Sequence, residues 1–575
     1  MGQTVSGGEL VAETLHAAGV RHAFGIHGGH LDAMLVAMAR AGIGLVDTRH
    51  EAAAGHAADG YARATGGLGV VFATAGPGFT NVLTAVANAH LDRIPLLVLT
   101  SSSPQREAEL NVLQGGIDQV AVARPMTRWA HRVTTTARIP DLVSLAIRHA
   151  TAGVPGPVVV DLPIDVLFRE IDRDLASEPA LTPVEPPAPS AAAVTAVTEA
   201  LCAAERPVVV VGGGAARSAG ARRALEAFAD ATGIPVASST WGHGLLPPGH
   251  PCLLGGPVEL AALAPLAGEP DLVLLLGARR GMFLGGRSTQ MIPAGATVVA
   301  VDLDAAELGR GGRVDLPVVA DAAECLRALT ASGVDWPDRG AWRERARAAV
   351  GAHALLYAGA EPVTASGRIH PYVAAREAVG ALGPDTTVVY DGGEASGWVN
   401  FFARADRPGG WFGIGYLGGL GVGPGMAIGA QVAHPDRRVV AFTGDGAMGF
   451  NLAELDTMAR HRLPIVTVVL NNAGWGMSLH GQQSIYGSGT RVAVDLPDTR
   501  YDRIAEGFGL HGERVADPDE IGPAVRRALD AGRPAVVDVA VAPEVAHLMM
   551  AALDTELPDG WMRIPYYDPV PPGEA

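Results

Sequence analysis

GDGAMGFNLAELDTMARHRLPIVTVVLNNAGWGM, residues 444–477, decides how this chain is read. It opens on Gly444-Asp445-Gly446, an Asp on a glycine turn, and reaches Asn471-Asn472 one helix and one strand later. Oxygen ligands of that kind suit Mg²⁺, a hard cation of near-octahedral geometry that usually bridges to phosphate. Gly444 and Gly446 let backbone approach a diphosphate closely. The apolar run Leu463–Leu470 reads as a buried strand that carries Asn472 to the same end of a sheet as Asp445. An ordinary α/β turn with an Asp cap and a loop Asn is the plain alternative.

A second signal lies far upstream. Thr48-Arg49-His50-Glu51-Ala52-Ala53-Ala54-Gly55-His56 opens a helix of small residues that continues to Arg63. A zinc helix would need His-Glu-x-x-His, and position 54 is Ala. A solvated Glu favoured by the helix dipole is the plain reading of Glu51.

Composition frames both signals. A chain of 575 residues suggests three to four domains of about 150 residues each. With 48% hydrophobic and 18% charged residues, large buried cores are available. The net charge of −17 and the lack of a basic run argue against nucleic acid as a partner. Cys202, Cys252 and Cys325 form no CxxC pair, so neither a zinc site nor a disulfide framework is expected, and a reducing cytoplasm is the simplest compartment. No run approaches the ~20 apolar residues of a membrane span, and no charged-then-apolar leader is read. Met1–Ser6 fits a myristoylation pattern, but capping by Ser6 of a helix at Glu9–Ala18 explains it more simply.

Helix and strand patterns alternate along the chain, which predicts three doubly wound α/β units with parallel sheets. The first unit, 1–182, has strand candidates Gly69–Thr74, Leu96–Thr100 and Val158–Leu162. Pro183–Pro189 is a stiff linker. The second unit, 191–345, has Pro207–Val211, Ile234–Ala237, Leu272–Leu276 and Thr297–Val301. Gly212-Gly213-Gly214 follows its first strand, yet position 217 is Arg, so the dinucleotide fingerprint is not met. A tight turn is the preferred reading there, with a bound nucleotide left open. Residues from about Ala331 to Ile369 read as a helical connector. The third unit, 366–557, has Thr387–Tyr390, Arg438–Phe442, Ile465–Leu470 and Ala535–Val539. A Pro-, Tyr- and Gly-rich tail, 558–575, ends the chain.

With these residues in hand, the chain resembles thiamine-diphosphate enzymes of the decarboxylase/acetolactate-synthase superfamily, and within it benzaldehyde lyase. The likeness covers nearly the whole chain. It rests on FGIHGGHLD (Phe24–Asp32), DTRHEAAAGHAADGYARA (Asp47–Ala64), TAGPGFTN (Thr74–Asn81), LQGGIDQVAVARPMTRWAHRV (Leu113–Val133) and GYLGGLGVG (Gly415–Gly423). It implies a pyrimidine-binding first domain, a middle spacer and a diphosphate-binding third domain. It also implies sites built between two chains, hence a homo-oligomer, with a dimer of dimers usual.

The resemblance implies roles residue by residue. Asp445 and Asn472, with the Gly474 carbonyl, would ligate Mg²⁺. Glu51 would drive the cofactor's aminopyrimidine into its imino form. Leu420 would wedge between the two rings, and the Gly418 carbonyl would hold the exocyclic amine. Thr74, Ala395, Gly444, Gly446 and Ala447 would complete the cofactor contacts. His30 and Gln114 would face the reacting carbonyl. His27 and Gly29 are placed in the substrate pocket, with His27 read as a buried histidine satisfied by backbone. Ile164, Ser396, Met477 and Gly481 fall at pocket-wall positions, where benzaldehyde lyase has larger aromatics at three and an Ala in place of Met477. Glu394 falls near the diphosphate and would repel it unless turned away.

The implied activity is a lyase and carboligase acting on small aldehydes and 2-hydroxyketones. An acetolactate-synthase-like or diketone- or 2-keto-acid-cleaving enzyme is the alternative, which FAD or ADP in the middle domain would favour. A non-catalytic scaffold would typically lack the Glu or a metal ligand; here Glu51, Asp445 and Asn472 are all present.

Overall fold

A computed structural model describes residues 3–286, 289–551, 557–564 and 569–573 of the chain. Met1 and Gly2 of the myristoylation pattern lie outside the described residues. Ser6 caps the helix Gly7–Ala17 as expected, in a reciprocal box with Glu9.

Three six-stranded sheets follow one another, each with every neighbouring pair parallel. In space the first runs Gly44–Asp47, His22–Gly25, Gly69–Ala73, Leu96–Ser102, Pro157–Pro163, Trp129–Arg132. The second runs Leu253–Gly255, Val236–Ser238, Pro207–Val211, Leu272–Leu276, Thr297–Asp302, Leu316–Val319. The third runs Trp411–Gly413, Thr387–Tyr390, Val439–Gly444, Val466–Asn471, Ala535–Ala540, His511–Val515. Counting each domain's strands in chain order, the first and third sheets share the order 2-1-3-4-6-5, while the middle one is 3-2-1-4-5-6. The central strands are mostly apolar and buried on both faces, as parallel sheets covered by helices require.

One expectation shifts. The strand read from Leu463 begins at Val466, because Leu463-Pro464-Ile465 turns into it with Ile465 N–H donating to the Leu463 carbonyl at 2.7 Å. The helical connector is as expected, built from the short helices Gly340–Ala346 and His353–Leu356. Among the described residues no helix is long and apolar enough to cross a membrane.

The first and third domains meet through two helices, Glu51–Thr65 and Val422–Ala433. Their backbones nearly touch. A Cβ on Gly60 would lie 2.2 Å from the Met426 carbonyl oxygen, one on Gly425 2.7 Å from that of Ala53, and one on Gly429 1.9 Å from that of Ala57. Ala53, Ala54, Ala57 and Ala58 are fully buried beside them, so one apolar core runs through both domains.

Gly429→Ala tests this contact. Helix propensity alone would favour Ala by about 1 kcal/mol, but a Cβ against fixed backbone costs about 1–3 kcal/mol or more. The expected result is a lower thermal midpoint for Gly429→Ala. Gly380→Ala, at a helical position with open space around it, should leave the midpoint level or raised. Equal midpoints would contradict backbone contact between the helices.

Candidate active site

In the third sheet the order of the strands reverses between Thr387–Tyr390 and Val439–Gly444, and ligands of open α/β sheets bind outside the strand ends at such a point. A cavity of about 380 Å³ opens there. Gly444, Asp445, Gly446, Ala447, Asn472 and Gly474 line it, as do Ala395, Gly418 and Leu420. Ser396 and Met477 are also on its wall. Ile164 instead starts a short helix of the first domain, and Gly481 is buried behind the wall.

Asp445 is 2% exposed, and its Oδ2 accepts the Gly474 N–H at 3.0 Å. Ala473, at φ +56°, makes the turn that brings Gly474 round to it. Burial pushes the Asp445 carboxyl up to about 6, against the backbone amides that bond it. Asn471 is occupied elsewhere, donating to the Thr499 carbonyl and Asp538, which leaves Asn472 as the amide on the cavity wall. Among the described residues no group of three His, Cys, Asp or Glu side chains could hold a metal. One carboxylate, one side-chain amide and one backbone carbonyl fit a hard cation that takes further oxygens from a diphosphate.

The loop bearing Gly418 and Leu420 is tied at both ends by carboxylates. Asp391, fully buried, accepts the N–H groups of Gly421 at 2.9 Å and Gly423 at 3.0 Å. It also takes those of Gly392 at 2.7 Å and Val422 at 3.2 Å, and the Thr443 hydroxyl at 3.2 Å. Burial still pushes its carboxyl up to about 6. At the other end Asp92 accepts the Tyr416 N–H at 3.0 Å while paired with Arg63 at 2.6 Å. Sequence reasoning passed over Asp391 and Asp92. Asp391 does carry a local signal, an acid just before Gly392-Gly393 at a strand end.

The corresponding switch point of the first sheet lies between His22–Gly25 and Gly69–Ala73, and other sequence-predicted residues gather there. Glu51 is 8% exposed and accepts the Asn81 side-chain amide at 3.0 Å. A Cβ on Gly78 would lie 2.9 Å from Thr74 and 3.3 Å from Glu51 Oε1, and one on Gly28 would lie 2.4 Å from Thr74. Gln114, at φ +60°, packs on Gly76. Thr74 Oγ1 and Gln114 Oε1 are buried with no hydrogen-bond partner among the described residues, so both have capacity for a ligand. His30 follows Gly29 in a single turn, and burial holds its ring below the usual histidine value, hence neutral near pH 7. His27 departs from expectation: its side chain is 70% exposed and its Nε2 lies 2.6 Å from Asp32.

Glu51, Thr74, His30 and Gln114 are not on the wall of the third-domain cavity. Within one chain the two clusters are separate. The third domain nevertheless grips the Glu51 helix, since buried Glu454 accepts the Arg49 and His50 N–H groups at 3.1 Å each.

A second cavity, about 240 Å³, sits at the switch point of the middle sheet, between Gly213-Gly214 and Gly277. Phe283 and Tyr416 stand between the two cavities and line both.

Three family models match the chain. They are the N-terminal TPP-binding domain of thiamine pyrophosphate enzymes over residues 5–122, the central domain over 194–329 and the C-terminal TPP-binding domain over 391–539. The acetolactate synthase large subunit IlvG of Mycobacterium tuberculosis is 34% identical, over 95% of this chain and 97% of its own. The 2-hydroxyacyl-CoA lyase 2 of Caenorhabditis elegans is 32% identical, over 91% and 86%. The acetolactate synthase isozyme 3 large subunit of Escherichia coli is 32% identical, over 92% and 93%.

Asp445→Asn should expose the strain at the site. A carboxyl raised from 3.8 to about 6 stabilises the fold below pH about 4 and loses that contribution as pH rises through about 6. Free of cofactor at pH 7, the variant should therefore be more stable than the parent. The difference should grow from pH 4 to 7 by on the order of 2–3 kcal/mol. Urea midpoints at the two pH values measure it, and a pH-independent difference would show that Asp445 is not strained.

Proposed function

Because the chain belongs to the thiamine pyrophosphate enzymes, we propose that it is a thiamine-diphosphate-dependent C–C lyase and carboligase for small aldehydes and 2-hydroxyketones. The observation that carries this reading is the third-domain cavity. A buried, strained Asp445 meets Asn472 at its floor, and no Lys, Arg or His is among the described residues of its wall. With no cation on this wall to pair a carboxylate, the third domain's share of the site favours a neutral carbonyl substrate over a 2-keto acid.

In this reading Asp445, Asn472 and the Gly474 carbonyl hold Mg²⁺, and with it the diphosphate. Bound thiamine diphosphate supplies a nucleophilic carbon and an electron sink for the C–C bond. Leu420 and the Gly418 carbonyl orient it. Glu51 holds a proton at the pyrimidine nitrogen. The neutral imidazole of His30 gives and takes the proton of the substrate oxygen, to which Gln114 donates a hydrogen bond. Met477 and Ser396 shape the acyl side of the pocket. Since Glu51 and Asp445 serve separate clusters within one chain, a second copy completes each site.

The names of the relatives favour a second reading, an acetolactate-synthase-like condensation of 2-keto acids. The second cavity bears on it, for its sheet has the 3-2-1-4-5-6 order that binds dinucleotides at the switch point. FAD there would colour the protein yellow and favour this alternative.

Two experiments test the proposal. With acetoin, benzoin and pyruvate offered separately, specificity constants should favour a hydroxyketone over pyruvate. Turnover of pyruvate alone, with release of CO₂, would move the protein to the second reading. Glu51→Gln should lower kcat by more than about tenfold while thiamine-diphosphate binding persists, since ~1.4 kcal/mol is too little for an essential step. Mixing Glu51→Gln and Asp445→Ala chains should restore activity, because one site of each hybrid carries neither lesion. No recovery after demonstrated subunit exchange would place the whole site in one chain.

A further inference from the structure

Glu394 lines the third-domain cavity and is 7% exposed. Its Oε1 lies 2.7 Å from Nδ1 of His480, which is 5% exposed. The other ring nitrogen, Nε2, lies 2.9 Å from the Pro543 carbonyl oxygen. A carbonyl only accepts, so Nε2 carries a hydrogen. The 2.7 Å contact at Nδ1 then requires a second proton, either on the ring or on the carboxyl. In both cases glutamate and histidine together are neutral.

The pair joins three walls of the cavity. Glu394 opens the helix Glu394–Asn400, His480 belongs to the helix Gly476–Tyr486, and Pro543 follows wall residues Val541 and Ala542. A Cβ on Gly476 would lie 3.0 Å from Glu394 Oε2 and 2.6 Å from the Asn472 amide nitrogen. The free carboxyl oxygen and the Asn472 amide therefore flank the same glycine. The hydrogen bond to Glu394 and its charge outweigh the opposing effect of burial, and the His480 ring is held above its usual value.

We propose that His480 is the positioning and charge-compensating residue of the cofactor cavity, pairing Glu394 so that an anionic diphosphate can enter beside it. Without His480 the cavity would present two carboxylates, Glu394 and Asp445, to a polyanion. The inference rests on the reading of this cavity as the thiamine-diphosphate site.

The test is a titration of the full-length protein with thiamine diphosphate at fixed Mg²⁺. Buffer at about pH 8 keeps an unpaired carboxyl largely ionised. The readout is quenching of tryptophan fluorescence, since Trp475 packs on Gly446 of the cavity wall. His480→Gln, which leaves Glu394 unpaired, should raise the dissociation constant at least about tenfold, or ~1.4 kcal/mol. Glu394→Gln should raise it less than His480→Gln does. The double variant Glu394→Gln/His480→Gln should bind more tightly than His480→Gln alone. Mg²⁺ with inorganic diphosphate as competitor should report the same order, because the repulsion acts on the anion and not on the rings.

Should His480→Gln fail to fold, the other two variants decide. The inference predicts that the double variant binds at least as tightly as Glu394→Gln, and weaker binding overturns it. It is also overturned if the parent binds thiamine diphosphate and His480→Gln binds it equally well. A double variant as weak as His480→Gln would make the pair a packing element only. If the parent fails to bind thiamine diphosphate at all, the reading of the cavity falls first, and the inference with it.

Discussion

The near-contact of two helix backbones, Glu51–Thr65 against Val422–Ala433, is the constraint on which the arrangement of functional groups depends. Only glycine fits at Gly60, Gly425 and Gly429, because any side chain there would collide with a carbonyl of the facing helix. Two helices held this closely cannot slide. The amino end of one presents Glu51, and the amino end of the other follows directly from the loop that carries Gly418 and Leu420. Glu454 adds a lock by capping Arg49 and His50 from across the domain boundary. Both groups of functional residues thus hang from one rigid crossing.

Topology explains why each domain offers one place for a ligand. A parallel sheet whose strand order reverses leaves a crevice at the carboxyl ends of the two strands on either side of the reversal. The first and third sheets share one order, so their crevices lie between corresponding strands, and the middle sheet has its own. The Glu51 cluster, the Asp445 cavity and the glycine-lined middle cavity occupy these three points. Trp241, Phe283 and Tyr416, with ring centres 4.7–5.4 Å apart, stand where the middle and third crevices come together. A bound group in either cavity would meet Phe283 and Tyr416.

Much of this was legible in the sequence because it is local. Strands showed as apolar runs, and Asp445 and Asn472 showed by a spacing of one helix and one strand. Leu420 and Gly418 were placed by the family resemblance, since a glycine-rich loop alone is a weak signal. What was not legible depends on contacts between distant residues. Asp391 and Asp92 act on backbone amides at 421–423 and 416, and no spacing rule links them. His480 meets Glu394 across 86 residues, so the sequence showed Glu394 as a repulsive charge and gave no sign of its partner. His27 was misjudged because burial depends on which loops cover a turn, and here none of the described loops covers it.

The buried carboxylates of the third domain also settle an apparent contradiction. A cofactor ending in a diphosphate is to enter a domain that buries Asp391, Glu394, Asp445 and Glu454. Buried charge is tolerated only when it is paired or hydrogen-bonded. Asp391 is consumed by four backbone amides and a hydroxyl, and Glu454 by two amides and Thr457. Glu394 has one oxygen on His480. Asp445 is held by backbone amides, accepting the Gly474 N–H at 3.0 Å, and burial raises its carboxyl to about 6. A divalent cation bridging to a diphosphate asks for little more than one such carboxylate, since the phosphate oxygens supply most of the remaining negative charge. In the proposed reading Asp445 is the carboxylate that would hold the ion, while Asp391 ties the loop of Gly418 and Leu420 and Glu394 is paired with His480.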